Sequence, residues 1–528
     1  MPAPTPAPTQ PSGPSPPALR LLFLLALAAG CFHGLGAAPL FDLDEGAFAE
    51  ATREMLERGD LVSPYLLGEP RFDKPAFVHW LQAASVSLFG WSEWALRLPS
   101  ALCAALWILL ATAALARVWG ERPALLAGAA MAASLEIPVL AKAATADALL
   151  NLWLAAACLA LWLHLREGRR LWLLAAYAAA GLGFLAKGPV AVAVPAALAA
   201  LHLLMRGEPG RLLRLAAEPW GWALFLGIAL PWYLLQYRAQ GWAFVEGFFL
   251  HHNVGRFGGT LEGHGGPLWY YLPVVLAGVL PYTAVLLAGV PRLRGLWREP
   301  ERRYMLLWFL LVLALFSLSG TKLPHYVVYG YTGLFALLGL ALAEGPLPRP
   351  LWLFLPPLLW FLLLLALPAL LEAWAARLDD PLARTQLAEA GDPFGPWWTP
   401  ALAGAAALMV AWMLLPERRP WPGRASRLLT AGLATTLSVS GLLLPAVGQV
   451  RQAPVQALGL LARERPEPVV MWGVNLPSFA VYAQRLTPRR LPRPGELVFT
   501  RADRLEALPG RWRVLHRRGG LVLALALP

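Results

Sequence analysis

The sequence predicts a mainly α, polytopic membrane protein, and three observations carry that prediction. Of its 528 residues, 58% are hydrophobic and only 14% are charged, against roughly 45–50% and 25% for an ordinary soluble domain. The apolar residues come in repeated blocks of about twenty, the length of helix that crosses the hydrocarbon core of a bilayer. Arg residues gather in short connections between alternate blocks, as they do in loops that stay cytoplasmic. Together these exclude a soluble globular enzyme and a disordered chain.

Apolar runs bounded by charge, Gly or Pro give about thirteen spans, near 19–37, 94–116, 123–140, 145–165, 171–186, 188–205, 220–237, 267–290, 304–319, 325–343, 351–371, 399–415 and 427–446. Thirteen crossings place the Arg clusters on one side: Arg117 with Arg122; Arg166, Arg169 and Arg170; Arg206, Arg211 and Arg214; Arg292 to Arg303; and Arg418 to Arg427. The N-terminus is then inside, the C-terminus outside, and the protein is a multi-pass component of the inner (plasma) membrane. The net charge of +12 reports this topology rather than a nucleic-acid partner. Cys31, Cys103 and Cys158 lie inside apolar blocks without metal-like spacing, as core residues do.

Three regions follow. Residues 1–18 form a Pro-rich tail, with eight prolines and no charge in the first seventeen residues, and are expected to be disordered. Residues 19–446 form the membrane domain, with long outer loops at 38–93 and 238–266, where function is expected to reside. Residues 447–528 change to short apolar runs separated by Pro, Gly and charge, which fits a small extracytoplasmic α/β domain. Within the first outer loop, Asp44 to Arg58 and residues 77–88 carry apolar residues at helical spacing. Both read as amphipathic juxtamembrane helices, the second with Phe77, Trp80, Leu81, Ala84 and Leu88 on its apolar face.

Five groups of residues carry chemistry. Asp42, Asp44 and Glu45 crowd one membrane mouth, and their mutual repulsion raises at least one pKa toward that of a general base; an N-cap explains only one of them. Arg71-Phe72-Asp73-Lys74-Pro75 offers a juxtamembrane lysine, a position also suited to a snorkelling cation. Lys142 to Asp147 ends in an ionisable residue at membrane depth, a costly placement that marks function or caps the next span. His251-His252-Asn253-Val254-Gly255-Arg256-Phe257 supplies a planar guanidinium suited to phosphate oxygens, and adjacent histidines are no HExxH site. Lys187-Gly188-Pro189 and Ser319 to Tyr326 each place a lysine at an outer helix junction, and Lys322 would sit one turn from Tyr326 if helix continued through Pro324.

In this order the segments resemble the polyprenyl-phosphate-sugar-dependent glycosyltransferases. The carrying motifs are an acidic pair after span one, D-K-P, W-x-x-R-L-P at Trp94 to Pro99, A-K-x-x-T-A-D, L-x-K-G-P, H-x-x-x-x-R-F and S-x-x-K-L-P-x-Y. The likeness is greatest to the aminoarabinose transferases that modify lipid A, with protein mannosyltransferases more distant, and it covers about residues 38–335 by motif. It implies a membrane fold of the GT-C type, a lipid-phosphate-linked sugar as donor, polyprenyl phosphate as leaving group, no nucleotide, and a monomer.

Residue by residue, the resemblance implies that Asp44, beside Glu45, activates the acceptor and that Asp147 is the second cavity aspartate. Lys74 and Arg256 match the phosphate-binding pair, with Tyr326 and, near it, Lys322 on the same phosphate. Asp73 and His251 match a carboxylate and a histidine that hold a metal, so one divalent ion is an implied cofactor. Two positions depart from the family: Glu-Lys-Pro-Pro is here Asp73-Lys74-Pro75-Ala76, with a shorter carboxylate, and the Arg that precedes Thr-Ala-Asp is here Lys142.

A glycosyl phosphate already carries a good leaving group, so such an enzyme needs cations to hold developing negative charge. The expected activity is transfer of the sugar, with inversion, to a lipid A-like glycolipid, a protein or a cell-envelope glycan. A lipid or sugar-lipid transporter would show similar spans, but transporters bury ionisable groups near the midplane of broken helices. Here they gather at outer helix ends.

Overall fold

The structure is a computed structural model that describes residues 16–255, 259, 263–375, 377–415 and 423–528. The chain begins with α1 (Pro16–Phe32), α2 (Asp44–Arg58), α3 (Phe77–Phe89), α4 (Glu93–Trp119), α5 (Glu121–Ala132), α6 (Glu136–Ala141) and α7 (Asp147–Glu167). It continues with α8 (Arg170–Lys187), α9 (Val190–Met205), α10 (Pro209–Ala216) and α11 (Pro219–Gln240). Each of the thirteen apolar runs falls on a helix or a broken pair of helices. The third run is split into α5 and α6, and the eighth into Tyr271–Gly278 and Thr283–Gly289 around Pro281. Residues 16–18, expected in the disordered tail, already belong to α1, and residues 1–15 lie outside the described residues.

Among the described residues five helices are each long and apolar enough to cross a membrane: Glu93–Trp119, Asp147–Glu167, Pro324–Glu344, Pro350–Ala375 and Arg424–Arg451. The chain is a multi-pass membrane protein, and its burial pattern follows lipid rather than water as solvent. On α3 Ala84 and Leu88 are exposed and Phe77, Trp80 and Leu81 half-buried, while His79, Gln82 and Ser85 are buried. The Thr52 hydroxyl joins His79 Nδ1 at 2.9 Å and donates to Gln82 at 2.8 Å, whereas His79 Nε2 is buried without a hydrogen-bond partner. The amphipathic reading of α3 therefore fits a helix at the bilayer edge.

α2 differs from expectation. Residues Glu45 to Met55 are all buried, because α3 covers one side, the β1–β2 ribbon (β1 Tyr65–Leu66, β2 Glu69–Pro70) another, and helix Ser478–Ala483 a third. Its charges are paired internally rather than presented to headgroups. Arg53 holds Glu50 at 2.8 Å and Glu57 at 2.7 Å, and Glu54 accepts from Arg58 at 3.2 Å and from the Gly68 N–H at 3.1 Å.

The C-terminal segment carries four strands and helix Ser478–Ala483. Strands β3 (Val469–Met471), β4 (Leu497–Arg501), β5 (Arg511–Arg518) and β6 (Leu521–Leu527) make one sheet in the order β3-β4-β6-β5, with β3 parallel to β4 and the other pairs antiparallel. Phe479 stacks on Phe499 with ring centroids 3.9 Å apart and anchors helix Ser478–Ala483 to the sheet.

One buried ion pair ties the outer loop to the bundle. Ser92 caps α4 by accepting from the Ala95 N–H, and one turn later Arg97 points inward. All five of its N–H groups are used. Nε and Nη2 donate to the two oxygens of Glu45 at 2.8 and 2.7 Å, Nη1 to Leu35 and Ala38 carbonyls at 3.0 and 2.7 Å, and Nη2 also to the Pro39 carbonyl at 2.9 Å. Removing one partner of such a pair strands a buried charge, at a cost of about 3–5 kcal/mol. Arg97→Ala is thus expected to lose most of its thermal stability in detergent, and Arg97→Lys, which keeps charge without the fork, to lose less. Wild-type melting of Arg97→Ala would refute this role.

Candidate functional site

A cavity of about 520 Å³ opens between the end of α1, the start of α2, α4, α6 and Pro324. Its polar lining includes Asp44, Glu45, Glu136, Lys142, Asp147 and His325. The sequence folds this way because three helices begin or break here: α2 at Asp44, α7 at Asp147, and the third apolar run between α5 and α6.

The three acidic residues of the first motif meet three fates. Asp44 is exposed to the cavity at the first position of α2. Glu45 is buried with both oxygens engaged: besides Arg97 it accepts from the Ala144 N–H at 2.7 Å and the Phe41 N–H at 2.9 Å. Glu45, expected beside Asp44 in the chemistry, is thus bonded as a strut between α4 and the turn before α7. Asp42 turns to the C-terminal unit, accepting from the Ser478 N–H at 3.0 Å and from the Ser478 hydroxyl. Burial raises the Asp42 pKa to about 7, against the opposing bonds from Ser478, and the Glu45 charge adds a smaller push. The raised pKa foreseen for this cluster therefore belongs to Asp42 and comes mainly from desolvation.

Asp147 heads α7 and forms the hub of a second cluster. Its Oδ1 accepts from Lys187 Nζ at 2.5 Å and from the Tyr329 hydroxyl at 2.8 Å, with His325 Nε2 at 3.6 Å, and its Oδ2 accepts from Thr145 at 3.3 Å. Lys187 arrives at the end of α8, where Gly188 turns with φ 82°, and a Cβ on Gly188 would lie 2.7 Å from the Phe248 ring. The ammonium lies 5.4 Å from the Tyr326 ring centre and 5.6 Å from that of Tyr329. Lys187 belongs to the Lys187-Gly188-Pro189 group read from the sequence, whereas Tyr329 had no signal in spacing or charge and joins the cluster only through the fold.

A third cluster lies on the loop before α3. Arg71 forks onto Asp73, Nε to Oδ1 at 2.5 Å and Nη2 to Oδ2 at 3.0 Å, and Lys74 Nζ lies 3.5 Å from Oδ2. Burial would raise the Asp73 pKa, but Arg71, Lys74 and more distantly His252 outweigh it and hold the carboxyl well below its ordinary range. Lys74 and Asp44 both act electrostatically on His325, so the clusters share one region.

Several expectations change here. The histidine that acts on Asp73 is His252, half-buried in the π-helix Glu246–Gly255, whereas His251 is exposed. The residues do not fit the implied metal: both Asp73 oxygens accept from Arg71, and among the described residues no group of three His, Cys, Asp or Glu could hold an ion. Lys322 donates to the Ser319 carbonyl at 2.6 Å, and the 3-10 helix Pro324–Gly330 starts after it, so no α-helical turn links it to Tyr326. Tyr326 itself is buried against Phe316 and Tyr329. Lys142 donates to the Ala29, Gly30 and Pro138 carbonyls, capping the end of α1. Arg256 lies outside the described residues.

Asp42 supplies a pH test. Its folded pKa stands above its unfolded value, so its stabilising contribution is complete below about pH 4 and is lost as the pH rises through 7. Asp42→Asn keeps an acceptor for Ser478 and cannot ionise. The variant is expected to gain melting temperature relative to wild type at pH 8 and not at pH 4. Equal differences at both values would rule out titration of this carboxyl.

Comparison with known proteins agrees with this geometry. Residues 73–234 match the family described as dolichyl-phosphate-mannose-protein mannosyltransferase. The undecaprenyl phosphate-alpha-4-amino-4-deoxy-L-arabinose arabinosyl transferase 2 of Pseudomonas fluorescens is 33% identical over 328 residues, 61% of this chain and 56% of that protein. The corresponding transferase of Pseudomonas aeruginosa is 34% identical over 334 residues, 61% of this chain and 59% of that protein. The chain thus spans less than two thirds of the length of these relatives. The crystal structure of ArnT from Cupriavidus metallidurans bound to undecaprenyl phosphate superposes with a TM-score of 0.81 at 22% identity, over 97% of this chain and 98% of that one. The chain has the fold of ArnT and is a sequence relative of the aminoarabinosyl transferases, the likeness that its motifs carry.

Proposed function

We propose that this chain is a membrane glycosyltransferase that moves a sugar from a polyprenyl-phosphate donor to an acceptor outside the cytoplasm, with inversion. One observation carries the reading: an accessible carboxylate, Asp44, shares a region with cations held by buried partners. The relatives are named for an undecaprenyl-phosphate-linked sugar, which supports the donor class.

In this scheme the acceptor hydroxyl binds beside Asp44, which takes its proton as the oxygen attacks the anomeric carbon. The new C–O bond forms on the face opposite the phosphate, and the old C–O bond breaks with its electron pair going to polyprenyl phosphate. Lys74 and Arg256 receive that charge. Lys187 adds positive potential, while its pairing with Asp147 and Tyr329 keeps it in place. Asp147 then acts by positioning, and Tyr326 lies against the Lys187 ammonium. Thirteen crossings, an inner-membrane location and an outward cavity complete the proposal. A lipid A-like glycolipid, a protein hydroxyl or an envelope glycan is the acceptor, and a monomer suffices.

Release of free polyprenyl phosphate by the purified protein given donor and acceptor is the direct test. Asp44→Asn should lower turnover by about 10²- to 10⁴-fold, the usual worth of a general base, while donor binding persists. Wild-type turnover in that variant would remove Asp44 from the reaction. Lys74→Ala and Arg256→Ala are each expected to weaken donor use by roughly 1.5–3 kcal/mol, with a double variant below the sum of the two, because residues on one phosphate couple. Strict additivity would place them on different groups.

A further inference from the structure

Arg71 is engaged more fully than a loop arginine needs to be. It is 9% exposed, and its guanidinium spans two elements. On one side it forks onto both oxygens of Asp73, at 2.5 and 3.0 Å. On the other, Nη1 donates to the Ala47 carbonyl of α2 at 2.6 Å, and its central carbon lies 4.6 Å from the Phe48 ring centre. The Arg71 N–H is itself fixed to the Pro64 carbonyl at 2.8 Å. Ala47 lies in the turn of α2 that begins with Asp44. Next to Asp73, Lys74 Nζ donates to the Asp73 carbonyl at 3.0 Å and faces its Oδ2 at 3.5 Å.

We infer that Arg71 is a positioning residue, an internal clamp that holds Lys74 in register with Asp44 and occupies the carboxylate where a divalent ion would otherwise bind. A guanidinium is suited to this work: it is always charged, planar, and matches a carboxylate with two parallel bonds. A metal at Asp73 would have to displace that fork and would sit beside two fixed cations, an electrostatically unfavourable place. This inference rests on the proposal that Lys74 grips the donor phosphate, and it adds that the grip is independent of metal.

The test is binding of undecaprenyl phosphate to the full chain in detergent, before and after stripping with EDTA. Affinity should be unchanged by chelation and by added Zn²⁺ or Mn²⁺. Arg71→Ala should bind about tenfold to a hundredfold more weakly, as loss of a charge-assisted contact does. Millimolar guanidinium should restore part of that loss, which a purely structural defect would not allow. Arg71→Lys, which keeps the charge and is the safer variant for folding, should fall between the two. Binding by untreated wild type that disappears on chelation and returns with metal would overturn the clamp alone. No binding by untreated wild type would overturn the donor reading and the clamp with it.

Discussion

The guanidinium of Arg97 against the carboxylate of Glu45 is the constraint on which the outer half of the molecule depends. The pair joins α4 to α2, and its remaining bonds reach the Leu35, Ala38 and Pro39 carbonyls and the Phe41 and Ala144 N–H groups. That set fixes the end of α1, the strand of chain leading to Asp44, and the turn that delivers Asp147. Each of these backbone groups lies where helices end, and an unsatisfied one in an apolar surrounding is costly. One ion pair therefore positions Asp44 and Asp147, although neither touches it. Buried pairs of this kind are weak contributors to net stability and strong determinants of geometry when every donor is used.

The remaining cations near the cavity obey the same rule. Lys187 is held by Asp147 and Tyr329, Lys142 by carbonyls of α1, and Arg71 by Asp73 and α2. Fixing these groups in advance means that little reorganisation is needed when charge develops on a departing phosphate, the condition under which electrostatic stabilisation is most effective. The same logic applies to α3, whose His79 and Gln82 turn inward to Thr52.

Legibility in the sequence divides along physical lines. Long apolar runs are set by the bilayer, so all thirteen appear as helices or broken pairs, and α2 begins at Asp44 and ends at Arg58 as its spacing indicates. Asp44 and Asp147 were visible because carboxylates at membrane mouths are rare. What depends on tertiary approach was not visible. Glu45 looks chemically equivalent to Asp44 until Arg97, fifty-two residues later, is brought against it. The burial of α2 needs helix Ser478–Ala483, more than four hundred residues away. His252 rather than His251 acts on Asp73 because the segment is a π-helix, whose phase a helical wheel does not supply. Arg71 had no role of its own in the sequence, since nothing in its spacing foretells a bond across to Ala47.

The comparison of Asp42, Asp44 and Glu45 shows why composition alone cannot rank candidate bases. All three lie within four residues, yet one is bonded to a serine of the C-terminal unit, one is saturated by a guanidinium and two amides, and one faces the cavity. A general base must be ionised at working pH, reachable by substrate, and free to accept a proton. Glu45 fails the last condition because protonation would break the Arg97 fork. Asp42 is less reachable than Asp44, because its oxygens accept from the Ser478 N–H and hydroxyl. Asp147 is held by a lysine and a tyrosine, so a proton there would undo the cluster that fixes Lys187. Asp44 alone of the four is exposed, and it can take a proton without undoing the Arg97 or Lys187 contacts; that difference in consequence, rather than proximity to the membrane mouth, singles it out.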